Sequence, residues 1–485
     1  MTRFARLSLA DRGNLRIERR ETPAHVAGLC LVEAGPLLRQ DGELDLAAIR
    51  RRLEARLSRV PELRRVVRRP PPLCGPPLWV DDPGFSVERH VRAARVEPPG
   101  DEASVLRTAE LLLRPRLDRS RPLWQMWFLT GLAGDRLGVL FEVHHALTDG
   151  LAAIALLASL LDPEPGAADP PPAPWRPEAA PPASALLADA LGHRAAALAT
   201  VLRHPVRLAR EVASVGGDVA ETLRAGRGAP RTSLHALPGP SRLLRAVHLD
   251  LERARAAAHA HDAKVNDVLL AVVAGGLREL LLSRGDPIAG GELNVSVPAA
   301  LRDAGAAREL GNAVGVMIVG VPVGDPDACR RLERIAATTR AAKAAQRPAY
   351  VQDMMAWLAA LGLSLPFARH QRLVHTFVTD VPGPRDPLYL LGARVESVLP
   401  LVGLAGNVTV LFAALSYHGR LDVAVVADAA ACPDVDVVVA GMDHAWRALT
   451  DGPSGRPPSE LLLRAEGHHG AGSSGSGSAA RTVAR

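Results

Sequence analysis

The sequence predicts a mixed α/β (α+β) protein made of two domains, and three observations carry that expectation. The chain has 485 residues, more than one ordinary core encloses. A proline-rich stretch, Asp162 to Pro182, interrupts every periodic pattern and reads as a linker. On both sides of it, runs with strand-like alternation are mixed with runs of helical spacing. The expected division is a first domain over 1–165, a linker and helical crossover over 166–244, a second domain over 245–455, and a disordered Gly/Ser-rich tail over 456–485.

Composition narrows the function classes. At 48% apolar and 23% charged residues the chain has the proportions of a soluble globular protein. Basic residues outnumber acidic ones, 58 to 52, but nearly all are arginine, since only Lys264 and Lys343 are lysines. With so much Ala, Gly and Pro, this reflects coding bias, and no basic cluster interleaved with aromatics points to nucleic acid. Cys30, Cys74, Cys329 and Cys432 are scattered without a CxxC pair, so neither a zinc site nor a disulfide framework is expected, and a reducing compartment fits. The N-terminal MTRFARLSLADRGNLR has no apolar core of a secretory signal. The longest apolar stretch, Leu399 to Tyr417, contains Pro400, Gly403, Gly406 and Asn407, which suits strand, loop and strand better than a membrane helix. No segment is expected to span a bilayer. The run from Ser184 to about Arg224 is helical in pattern, with arginines among Leu and Ala, and Pro205 should kink or split it.

The chemistry concentrates at Gly138 to Gly150. Val139, Phe141, Val143 and His145 alternate with Leu140, Glu142 and His144, so a strand here would aim the two adjacent histidines to opposite sides. Ala146, Leu147, Thr148, Asp149 and Gly150 then lead into a helix beginning near Leu151, giving HHxxxDG at a strand-to-helix turn. A neutral imidazole at His145 can take the proton of an alcohol as it attacks a carbonyl and return it to a leaving thiolate. Asp149 has two readings. It caps the following helix, or it turns back under the loop to fix the turn and pairs with a cation from the other half of the chain, for which Arg302 is the candidate. A second cluster, AKVNDVLLAVVAGG at Ala263 to Gly276, puts Asn266 and Asp267 at a helix start. Local sequence favours capping there. The alternative is that Asn266 and the helix N-terminus face a developing oxyanion.

Taken in order, several segments resemble the wax ester synthase/diacylglycerol acyltransferase family, within the CoA-dependent acyltransferase superfamily. They are ETPAHVAGL at Glu21 to Leu29, LDRSRPLWQ at Leu117 to Gln125, HHALTDG at His144 to Gly150 and VNDVLLA at Val265 to Ala271. VPAALR at Val297 to Arg302, LGNAVGVM at Leu310 to Met317, TDVPGPRDPLYLLGA at Thr379 to Ala393 and LSYHGRLDVAVVAD at Leu415 to Asp428 continue the match. The resemblance implies two chloramphenicol-acetyltransferase-like domains, each a mixed sheet with helices, meeting at a central tunnel. It implies His145 midway along that tunnel, supported by His144, Asp149, Gly150, Asn266 and Asp267, with Pro122, Leu123, Trp124 and Arg302 as tunnel or structural residues. It implies an acyl-CoA co-substrate, no prosthetic group or metal, and a diacylglycerol or fatty-alcohol acceptor giving triacylglycerol or wax ester without an acyl-enzyme. Peripheral association with a membrane or lipid-droplet surface on the cytoplasmic side goes with such substrates, the Ser184 to Arg224 region being the candidate contact. Two departures stand out: Gln125 occupies a place where an acid usually follows PLW, and LSLADRGNLRIE lacks the usual aromatics. The competing readings are an O-acyltransferase of a polyketide or other secondary metabolite and a noncatalytic lipid-binding scaffold.

Overall fold

The structure, a computed structural model, describes residues 4–148, 150–171, 174–206, 231–288, 290–300, 314–344 and 364–451, with isolated positions between 206 and 231. Fourteen strands are described, and twelve of them form two six-stranded sheets. They are β1 (His25–Glu33), β2 (Arg65–Arg68), β3 (Leu78–Asp81), β4 (Val91–Arg95), β5 (Trp124–Thr130), β6 (Arg136–His144), β7 (Arg242–Asp250), β8 (Leu293–Ala300), β9 (Val314–Val321), β10 (Thr376–Pro382), β11 (Tyr389–Leu390), β12 (Ala393–Val402), β13 (Val410–Tyr417) and β14 (Arg420–Asp428). The first sheet runs β11-β12-β1-β6-β5-β4 and the second β7-β14-β13-β10-β8-β9, while β2 and β3 form a separate pair. Both large sheets are mixed, since β4–β5, β10–β13 and β10–β8 are parallel and the remaining pairs antiparallel.

The ten α-helices described are α1 (Leu9–Ile17), α2 (Leu46–Arg56), α3 (Glu102–Leu113), α4 (Gly150–Leu160), α5 (Ala183–Arg203), α6 (Leu251–Ala260), α7 (Val265–Ser283), α8 (Ala328–Ala344), α9 (Ser364–His370) and α10 (Val435–Thr450). Local chemistry sets their ends. Ser8 and Asp11 close a reciprocal capping box on α1, and the carboxylates of Asp45, Asp101 and Asp250 accept from backbone N–H groups at the starts of α2, α3 and α6. α5 stops at Arg203, two residues before Pro205, because proline cannot continue the hydrogen-bond ladder.

Alternation in β6 divides its side chains as the pattern demands. Val139, Phe141 and Val143 enter the core shared with α2 and α4, while Leu140 enters another core. That second core joins the sheets: Leu29, Leu140 and Leu401 of the first pack with Leu244, Leu411 and Val426 of the second. The Leu399 to Tyr417 stretch is strand, loop and strand, but its two strands separate. β12 pairs with β1 from Val26↔Val402 onward, and β13 pairs with β14 in the second sheet through a tight turn at His418 and Gly419, both at positive φ. A third core, behind the second sheet, is closed by α7 against α10, where a Cβ on Gly276 would stand 2.6 Å from the Val438 carbonyl oxygen. Glycine there lets the two helix backbones meet.

Candidate active site

β6 ends at His144, one residue earlier than alternation alone predicts, and His145 lies in the turn that follows. Three backbone contacts hold this turn. The His144 N–H donates to Leu123 O at 3.0 Å, the His145 N–H to Ala24 O at 2.8 Å, and the Leu147 N–H to His144 O at 2.8 Å. Leu123, just before β5, therefore holds the turn through its carbonyl, with Pro122 and Trp124 on either side of it. Trp124 is locked by its indole N–H to Leu63 O at 2.6 Å and by stacking on His90 at 4.6 Å.

The two histidines look in different directions, as strand alternation predicts. His144 is fully buried; its Nδ1 accepts the Ala146 N–H at 2.9 Å, which leaves the proton on Nε2, 3.4 Å from Glu18 Oε1. Burial lowers the His144 pKa, so the ring stays neutral in that tautomer. His145 is half-buried and lines a cavity of about 610 Å³ between the sheets. The Asn14 amide of α1 donates to His145 O at 3.0 Å and stands 3.3 Å from its Nδ1. The backbone bond pins Asn14 whichever nitrogen of the ring carries the proton, and the longer ring contact leaves the choice of tautomer open to a bound substrate.

Behind the histidines is a buried ionic network. Burial by itself would raise the Glu18 pKa, but the His144 and His25 rings, 3.4 and 3.6 Å away, and the Arg119 guanidinium, 2.6 Å away, hold the carboxyl well below the usual range. His25, on β1 opposite His144, is 5% exposed; burial would lower its pKa, yet Glu142, in direct contact with Nδ1, and Glu18, 3.6 Å from Nε2, raise it to about 9. The Leu117 N–H also lies 3.4 Å from Nε2, but two carboxylates outweigh this long contact and keep the ring charged. Gln125, across the β5–β6 ladder from Glu142, donates to its Oε2 at 2.7 Å. An acid there would set two carboxylates against each other, so the departure at Gln125 matches its neighbour.

The His25 pKa has a measurable consequence. Its folded value, about 9, exceeds the ordinary 6.5, so the stability it contributes is complete below pH 6.5 and is lost as pH rises through 9. Denaturant midpoints of the wild type should therefore fall between pH 7 and 10, and His25→Gln should flatten that part of the profile. An equal slope in both proteins would rule out a charged His25.

The other sequence candidates divide. Asp267 is buried and serves as a cap: it accepts the Lys264 N–H at 2.9 Å and the Thr339 hydroxyl at 2.8 Å. Asn266, beside it, is half-buried, and neither residue is among those lining the His145 cavity. Gly150 begins α4. Asp149 and Arg302 lie outside the described residues, as does the expected tail. Asn14, Glu18, His25 and Arg119 escaped sequence reasoning as site residues. The cavity wall also includes Ser296, Thr379 and Gln371, set among Phe367, Leu373 and Leu411. Such a wall suits a long apolar chain with a few polar contacts near its reactive end. Among the described residues, no group of three or more His, Cys, Asp or Glu could hold a metal ion.

Comparison with known proteins places this architecture. The model of the wax ester synthase/diacylglycerol acyltransferase catalytic domain matches residues 7–269, and that of the WS/DGAT C-terminal domain matches residues 310–450. The probable diacylglycerol O-acyltransferase tgs1 of Mycobacterium tuberculosis strain H37Rv is 29% identical over 474 residues, covering 91% of this chain and 95% of the relative. A putative diacylglycerol O-acyltransferase of the same strain is 30% identical over 451 residues, covering 89% and 88%. Among solved structures, the wax ester synthase/diacylglycerol acyltransferase of Marinobacter aquaeolei VT8 superposes with TM-score 0.68 at 22% identity, over 92% of this chain and 98% of that one. The first condensation domain of the calcium-dependent antibiotic synthetase gives TM-score 0.59 at 17% identity, over 93% and 97%. The expected two-domain, chloramphenicol-acetyltransferase-like fold is thus the fold observed.

Proposed function

The chain belongs to the wax ester synthase/diacylglycerol acyltransferase family, and on that footing we propose that it transfers an acyl group from acyl-CoA to the hydroxyl of a diacylglycerol or long-chain alcohol. The observation that carries the reading is His145 on the wall of a largely apolar inter-sheet cavity. A neutral His145 accepts the acceptor's hydroxyl proton as the oxygen bonds to the thioester carbonyl carbon. The tetrahedral oxyanion then collapses, the C–S bond breaks, and the imidazolium returns its proton to the CoA thiolate. No nucleophilic serine or cysteine adjoins His145 in sequence, so the transfer is direct. The test is labelled palmitoyl-CoA offered with dipalmitoylglycerol, hexadecanol or no acceptor. Labelled triacylglycerol or wax ester should form, and no label should remain on the denatured protein in the third arm. Absence of ester from both acceptors, with transfer from an acyl carrier protein instead, would overturn the reading.

The membrane contact is assigned to α5. This helix is long and apolar enough to cross a bilayer, although no spanning segment was expected, but it is only partly buried. One side is fastened to the body: Leu186 and Ala190 are buried, and Asp189 accepts two hydrogen bonds from Arg6 at 2.7 and 2.9 Å. Leu187, Leu191, Leu198 and Leu202 form an exposed stripe one helical face wide. A helix tied by one face with an apolar stripe on another lies along a lipid surface instead of crossing it. Replacing Leu191, Leu198 and Leu202 together with serine should reduce flotation with liposomes at least fivefold, since each exposed leucine that enters lipid contributes about 1.5–3 kcal/mol; unchanged flotation would move the contact elsewhere.

A further inference from the structure

A second cavity, of about 1120 Å³, lies on the opposite side of α1 from His145. Ser8, Arg12, Leu15 and Arg16 of α1 line it, whereas Asn14 and Ile17, on the reverse face of the same helix, line the His145 cavity. Its remaining wall comes from Arg69 and the loop before β3, from Arg119 and Leu123, and from Ala190, His193 and Arg194 of α5. The cavity is therefore ringed by arginines, and several have no compensating partner. Arg6 is committed to Asp189 and to backbone carbonyls, and Arg119 to Glu18. Arg12, Arg69 and Arg194 make no ion pair with any described carboxylate. Burial, and after it the charge of Arg16, lower the Arg12 pKa, with Asp11 opposing them.

Arg12, Arg69 and Arg194, three guanidiniums on one wall without an ion pair to a described carboxylate, suit a multivalent anion, and phosphate esters fit their planar donor forks best. Under the acyl-transfer reading above, one substrate has both kinds of end: a thioester with an apolar chain, and a nucleotide carrying a diphosphate and a ribose phosphate. We propose that the arginine-lined cavity beside α1 holds the phosphates of the acyl-CoA, with Arg12, Arg69 and Arg194 as its phosphate-binding residues. One helix separates this cavity from His145, and a helix with its side chains is about 10–12 Å across, a span a pantetheine arm covers. The Leu123 carbonyl accepts the His144 N–H and the Leu123 residue lines the cavity, so the phosphate end is anchored on the segment that carries the histidine turn.

The test uses the full chain and Arg69→Ala/Arg194→Ala, both exposed positions away from the histidines. Calorimetry with desulfo-CoA should show affinity weakened at least tenfold by the double substitution, about the loss of one charge-assisted contact. In turnover assays KM for palmitoyl-CoA should rise by a similar factor while kcat, and KM for phosphate-free palmitoyl-pantetheine, stay within twofold. Equal desulfo-CoA affinity in the two proteins, no desulfo-CoA binding by the wild type, or an equal KM rise with both donors would overturn the proposal. The other source of a phosphate is a lipid headgroup. Weakened flotation with phosphatidylglycerol vesicles and unaltered desulfo-CoA affinity would assign the cavity to lipid and also overturn it. Because desulfo-CoA binding needs no turnover, a protein that binds it through these arginines yet esterifies no alcohol would sink the acyl-transfer reading and leave the phosphate site standing.

Discussion

His145→Ala is expected to lower kcat for ester formation by about 10²–10⁴-fold, the range set by removal of a positioned general base. KM for acyl-CoA should change little, because the ring occupies one short part of a cavity walled mainly by apolar side chains. Thermal stability should hold, since His145 is half-buried and its backbone, not its ring, makes the bond to Ala24 O. His144→Ala is the informative contrast. That ring is fully buried, accepts from Ala146 and donates toward Glu18, so its removal should destabilise the protein as well as slow it. A stable His145→Ala protein with more than a tenth of the parental kcat would remove His145 from the chemistry.

Glu18→Gln is expected to cost about 3–5 kcal/mol of stability, the largest single loss we foresee from a change that preserves shape. The Glu18 side chain is fully buried and is approached by His25, His144 and Arg119 together. An amide there leaves the buried, charged His25 and the half-exposed Arg119 short of one negative partner. The pH dependence follows from the carboxyl's depressed pKa. Its contribution is present above the ordinary glutamate range and is lost only as pH falls through the depressed value, so wild type and variant should converge in strong acid and differ most near neutrality. Glu18 acts through His144, not on substrate, so it is a positioning residue. For such a role kcat should fall more than KM, and Glu18→Asp should restore part of it. Equal denaturant midpoints at pH 7 would show that the network carries no net stabilisation.

Much of the candidate site was legible in the chain because its parts are contiguous. His144 to Gly150 follow one strand, so alternation separates the two histidines without any knowledge of the fold, and Leu399 to Tyr417 divide at their glycines. The partners were not legible. Asn14 and Glu18 sit at the end of an unremarkable nine-residue helix, and nothing in LADRGNLRIE says that this end will dock against a turn more than a hundred residues later. Glu142 was visible as a polar residue on an apolar strand, a signal that a buried partner was needed. That the partner is His25 depended on the β1–β6 register. Asn266 and Asp267 show the reverse case. Their sequence context admits both a cap and an oxyanion site, and packing against Thr339 commits Asp267 to the cap.

The sequence by itself determined the alternation of β6, the histidine turn and the proline that ends α5, because these depend on residues near one another or on steric limits of single residue types. Only the tertiary structure decided that β11 and β12, from the C-terminal half, complete the first sheet, since pairing register is a long-range choice that local pattern leaves open. It alone decided that arginines from 12, 69 and 194 share a wall, and that His25 and Glu18 stay charged behind His144. Charge in a buried site depends on which opposite charge arrives within a few ångströms, and that is set when the chain closes on itself.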